Sequence, residues 1–171
     1  MHFIETVFIF TIIVYFGNYM DNKSNLSKAL GHDDSSGFDF AQEMLHGDET
    51  FAINFDRIQK HPERGYIIFE YLRCHESQTV TPYTSHPNRY FYKNKHKFVS
   101  LFTISKDLNA ELFLVNYAKS GTKHEDLIKV MKVLNIDEFN AESPVTTKDW
   151  LTNRKEFSDW FRKLNRECAS S

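Results

Sequence analysis

A carboxylate inside an apolar run constrains this chain most. Glu70 lies within Tyr66-Ile67-Ile68-Phe69-Glu70-Tyr71-Leu72, part of the stretch Phe51–Cys74. That stretch reads as two strands joined by a polar turn. Phe51, Ile53 and Phe55 alternate with Ala52, Asn54 and Asp56, then His61-Pro62-Glu63-Arg64-Gly65 breaks the pattern before it restarts at Tyr66. Strand side chains alternate between faces, so Glu70 shares a face with Ile68 and Leu72, and Asp56 leaves the end of the first strand. A charge in such surroundings is costly unless something pairs with it. A divalent cation shared with Asp56 answers that need, because hard cations such as Mg²⁺ prefer carboxylate oxygens.

At 171 residues the chain has one domain by default and enough length for a sizeable core. Aromatic residues reach 15%, mostly Phe, which suits a well-filled interior. The formal net charge of -2 carries no global nucleic-acid signature, so any such binding must come from a local patch. Two cysteines, Cys74 and Cys168, make no disulfide framework, and a reduced, cytoplasmic setting follows. Phe3–Phe16 is nearly all apolar, yet shorter than the roughly 20 residues that span a bilayer. Glu5 stands where a signal peptide has basic residues. A membrane anchor, a buried element and a translation start at Met20 are the three readings, and the last is favoured. Residues 1–37 thus read as an apolar segment and polar leader, and residues 38–171 as a single α/β domain. No membrane partner is expected unless residues 3–16 anchor the chain, the reading that would make the protein membrane-bound or secreted.

A short helix over Asp39–His46, carrying Glu43 and ended by Gly47, precedes the two strands. Asn88–Leu108 reads as a longer helix, with Phe91, Asn94, Phe98, Leu101, Phe102 and Leu108 near one face. Arg89, Lys93 and Lys97 fall at steps of four on another face, with Lys95 and His96 beside them. That stripe reads as a solvated face or as a contact for a phosphate backbone. Glu111–Ala118 is a compact strand, Asp126–Ile136 leans towards strand by its β-branched alternation with helix as the alternative, and Asp137–Pro144 is loop. Thr147–Cys168 reads as helix. Asn153 and Glu156 resemble a capping box, and Phe157, Trp160, Phe161 and Leu164 give a face that docks on a sheet.

The loop Thr84–Tyr90 offers a second site. Ser85, His86, Asn88 and Arg89 present hydroxyl, imidazole, amide and guanidinium groups at a helix N-terminus, where anions are favoured. Tyr83 and Tyr90 are candidates to stack on bases. The plainer reading is a capping loop, with Asn88 as cap and Pro87 as stiffener. Eight histidines match no zinc spacing, and no nucleophile triad or Gly-rich phosphate loop is present.

The element order, with thirteen residues between Asp56 and Glu70, resembles the PD-(D/E)xK nuclease superfamily. The resemblance covers roughly Phe38–Ile136. It implies a restriction-endonuclease-like mixed sheet of four to five strands flanked by helices, with the C-terminal helix packed on it. It further implies Mg²⁺ held by Asp56 and Glu70 with help from Glu43, and metal-dependent cleavage of DNA phosphodiesters. The family places a lysine two residues after its Glu, to assist the attacking water. Here Leu72 stands at that place. Either a lysine arrives from elsewhere, with Lys93, Lys95 and Lys97 available and Lys93 taken as the catalytic candidate, or Arg73 reorients, a poor substitute because it points to the opposite strand face. Otherwise the protein does not cleave. The nucleic-acid contacts then fall to Ser85, His86, Asn88, Arg89, Lys93 and Lys97. The alternative is a non-enzymatic α/β factor that binds nucleic acid or protein, of phage or mobile-element type.

Overall fold

The fold is given by a computed structural model that describes residues 36–49 and 52–169. The apolar segment 3–16, the Met20 start, the leader up to residue 35 and Phe51 lie outside the described residues. The described chain falls within one compact unit, His32–Ser171. No helix in it is long and apolar enough to cross a membrane.

The elements run α1 (Ser36–Leu45), β1 (Arg57–His61), β2 (Gly65–Arg73), α2 (Lys95–Asp107), β3 (Glu111–Tyr117), β4 (Leu127–Ile136), β5 (Val145–Asn153) and α3 (Arg154–Cys168). The five strands form one sheet in sequence order. β2 and β3 are parallel, and the other neighbours are antiparallel. Parallel neighbours need a long crossover, and the segment containing α2 supplies it. The architecture is therefore α+β, a mixed sheet between helices.

Each sheet face carries its own apolar cluster. Ile68, Leu112, Leu114, Met131 and Val133 meet Phe91, Phe98 and Leu101 beneath α2. Ile67, Phe69, Phe113, Val115, Ile128 and Val130 meet Leu164 of α3 on the other face. The two faces use alternate residues of the same strands, as the pleat requires. Aromatic rings dominate the α3 side, where Phe69 meets Phe161 edge-on at 5.4 Å and Phe113 meets Trp160 at 6.2 Å.

Three elements differ from the sequence reading. The strand before the hairpin is Arg57–His61, not Ala52–Asp56, so Asp56 immediately precedes a strand instead of ending one. An edge strand needs no strict apolar alternation, and backbone pairing with β2 outweighs the Ile53 and Phe55 pattern. Second, the helix expected over Asn88–Leu108 is broken. Pro87–Arg89 and Tyr92–Asn94 are 3₁₀ turns, and the α-helix begins at Lys95. Third, Val145–Asn153 is a strand, so the last helix begins at Arg154 and not near Thr147. Its Thr, Trp and Leu side chains suit a pleated surface, and β4 provides the partner. The cap itself stands where the spacing put it, with Asn153 accepting the Glu156 N–H at 2.9 Å.

Candidate active site

The hairpin register sets Asp56 beside Glu70. Arg57 pairs with Phe69, so the residue before β1 comes alongside the residue after Phe69. Asp56 is held there by its own carboxylate, whose Oδ2 accepts the Tyr71 N–H at 2.7 Å. Glu70 is almost completely buried, at 2% exposure, in a strand flanked on both sides by others. It shares the α2 face with Ile68 and Leu72, and from α2 Lys97 reaches down to bond its Oε1. The second oxygen, Oε2, is buried without a hydrogen-bond partner. Burial pushes the Glu70 carboxyl above the usual glutamate range; Lys97 opposes this, and the Asp56 charge reinforces it.

Asp56 from the loop before β1, Glu70 of β2 and Lys97 of α2 are thus brought together. Lys97 provides the cation that Leu72 cannot, and it does so across the sheet face and not along the strand. Lys93 is placed elsewhere, exposed on the 3₁₀ turn Tyr92–Asn94, while Lys95 pairs with Glu138 at 2.6 Å. The 3₁₀ turns and the late start of α2 break the stripe of steps of four into separate segments. Glu43 does not join the pair. It is exposed on α1, and among the described residues no three His, Cys, Asp or Glu side chains gather as a metal site.

The donor set fits one class of cation. Two carboxylates are too few for an all-protein cage, but Mg²⁺ is commonly held by one or two carboxylates together with substrate phosphate oxygens and water. The buried, unpartnered Glu70 Oε2 is an oxygen that such an ion would satisfy. Asp56 would be the second ligand.

Beside the cluster an open groove of about 780 Å³ runs past the ends of β2 and β3. Arg73, Arg89, Lys93 and Lys97 line it, together with Ser77 and Thr79. Lys97 also lines a hollow on its other side, formed with Ala52–Asn54 and His96. Arg89, Lys93 and Lys97 therefore face a common space, although they do not share one helix.

The rest of the Thr84–Tyr90 loop is occupied with its own structure. Asn88 accepts the Val145 N–H at 2.7 Å and donates to the Val145 carbonyl at 3.2 Å, as a strand neighbour would. His86 Nδ1 accepts the Asn88 N–H, so Nε2 carries the proton towards Thr147 Oγ1 at 3.0 Å. Burial holds the His86 pKa below its usual value, nearby Lys129 lowers it further, and Asp149 opposes both. Ser85 is buried, and its carbonyl accepts from Asn116 Nδ2 at 2.9 Å. Tyr83 donates to the Thr152 carbonyl, while Tyr90 packs on Phe98 and also lines the groove. Sequence reasoning weighed Arg73 only as a poor substitute for the missing lysine and not as a groove residue, and it missed the pair that buried Lys129 makes with the exposed Asp149 at 2.9 Å beside the loop. No local spacing signals either, because strand pairing and chain crossover create them. Comparison with protein-family models, curated proteins and solved structures finds no match.

Proposed function

We propose that this chain is a nuclease-like phosphodiester hydrolase that uses a divalent cation and acts on nucleic acid, DNA in the first instance. One observation carries the reading. Lys97 meets buried Glu70 beside Asp56, giving two acids and a lysine in one cluster although the lysine is absent from the strand. The Tyr71 N–H fixes Asp56, and the sheet fixes Glu70, so both carboxylates are oriented before any ligand arrives. Lys97 is 46% exposed at its side chain, which lets its ammonium serve Glu70 or a phosphate oxygen entering from the groove. Mg²⁺ on Asp56 and Glu70 would activate water and neutralise charge developing on the phosphate.

The test is cleavage of plasmid and linear DNA by the full chain in Mg²⁺ or Mn²⁺, repeated with Asp56→Asn and Glu70→Gln. The expected result is metal-dependent cleavage that either change lowers on the order of 100-fold. Cleavage that survives both changes, or no cleavage with either metal, overturns the reading. A second reading draws on the same contact. Because Lys97 already compensates Glu70, the cluster also suits a non-catalytic nucleic-acid-binding factor, which would bind through the groove without metal and never turn over.

A further inference from the structure

We infer that the groove beside Lys97 seats one or two nucleotides of a single strand, so that the chain engages single strands in preference to duplex. The inference rests on the hydrolase reading for where the scissile phosphate lies, against Lys97, but the groove makes its own case. It lies past the carboxyl ends of β2 and β3, the parallel neighbours of the described sheet.

Charge is the second argument. Acidic residues outnumber basic ones in the chain, 23 to 21, yet no Asp or Glu lines the groove, while Arg73, Arg89, Lys93 and Lys97 do. Among the described residues, Arg73, Arg89 and Lys93 have no ion-pair partner. Unneutralised cations around one space attract a phosphate backbone. Size is the third. About 780 Å³ falls within the range of pockets that hold small ligands, and one or two nucleotides are of that size. A duplex can lie across such a groove but cannot enter it.

The floor supplies the fourth argument. Asn116 is fully buried, and its Nδ2 is spent on the carbonyls of Pro82 and Ser85. Its Oδ1 has no partner. A buried acceptor without a donor is unusual, and a nucleotide brings donors, a base amino group or a sugar hydroxyl, to the residue that forms the floor.

The experiment is fluorescence anisotropy in EDTA, with the full chain and no turnover. The probes are a labelled single-stranded DNA 8-mer, its RNA counterpart and a blunt DNA hairpin, with inorganic phosphate as competitor. The expected result is binding of at least one single strand about ten-fold tighter than the hairpin and unmoved by millimolar phosphate. Arg89→Glu with Lys93→Glu should weaken it at least ten-fold and flatten its salt dependence, while Lys163→Glu on α3 leaves it unchanged. The DNA and RNA arms identify the sugar. Equal or tighter binding of the hairpin, displacement by phosphate, or full binding by the double variant overturns the inference, whatever the cleavage assay shows. Loss of cleavage in Asp56→Asn with single-strand binding intact separates the two claims.

Discussion

Burial holds the Glu70 carboxyl above the usual glutamate range, the Asp56 charge adds to that, and Lys97 pulls against both. A glutamate whose folded pKa is raised contributes stability below its unfolded pKa, near 4.3, and that contribution is lost as pH rises through the folded value. Glu70→Gln removes a buried charge and keeps the shape. It should therefore raise the melting temperature at pH 7 relative to the parent, and the gain should vanish on acidification below about pH 4. A melting series across pH checks this; a variant less stable at pH 7 would show that Lys97 more than compensates the carboxylate. Lys97→Met is the converse. It leaves a buried charge unpaired and should cost about 2 kcal/mol at neutral pH, less in acid where Glu70 takes up a proton. A residue retained against stability is characteristic of function, and Glu70 is placed to be one.

At the scale of elements, the β1–β2 hairpin is clamped to the start of β3. Gly65 takes a left-handed φ of 74° to close the turn, and Arg64 then forks onto Glu111 with two bonds of 2.8 Å. Lys132 of β4 adds a third contact at 2.8 Å. The Arg64 hydrogen bonds chiefly hold the Glu111 pKa down to about 2, burial opposes them, and Lys132 assists. The depressed pKa means this clamp stabilises fully above the unfolded value near 4.3 and is lost as pH falls through about 2. Glu111→Gln should cost about 1–2 kcal/mol at pH 7 in denaturant unfolding, and the difference from the parent should close between those two pH values. The hairpin was legible as Pro62 and Gly65 between apolar runs, and the α3 cap as Asn153 and Glu156, because both are local. The extent of β1 was not legible, because pairing across the hairpin decides it. Nor was the choice of Lys97 among three lysines, because it depends on where 3₁₀ turns give way to α-helix. β5 was hidden since Thr-Thr-Lys-Asp-Trp-Leu-Thr carries no helix breaker, and only β4 beside it makes the strand.

For the molecule as a whole, both sheet faces carry apolar core, and the proposed chemistry lies on the α2 face alone. Leu164, Phe157, Trp160 and Phe161 cover the face opposite the groove. Leu164 is 2% exposed, so Leu164→Ala should destabilise by about 3 kcal/mol through the cavity it leaves. It should leave the rate of cleavage unchanged at temperatures where the fold persists. A matching fall in rate below the unfolding transition would mean that α3 shapes the site directly. On the α2 face, by contrast, the apolar cluster positions Glu70 and Lys97, and substitutions there should move stability and activity together.

The measurement that goes straight to the claim that Lys97 serves as the lysine missing at Leu72 is the single-turnover cleavage rate of Lys97→Met and of Lys97→Met combined with Leu72→Lys. Leu72 shares the sheet face of Glu70, so a lysine there can reach the same carboxylate. The account predicts a fall on the order of 100-fold in the first variant and recovery of at least ten-fold in the second. A Lys97→Met protein that cleaves at the parent rate contradicts it.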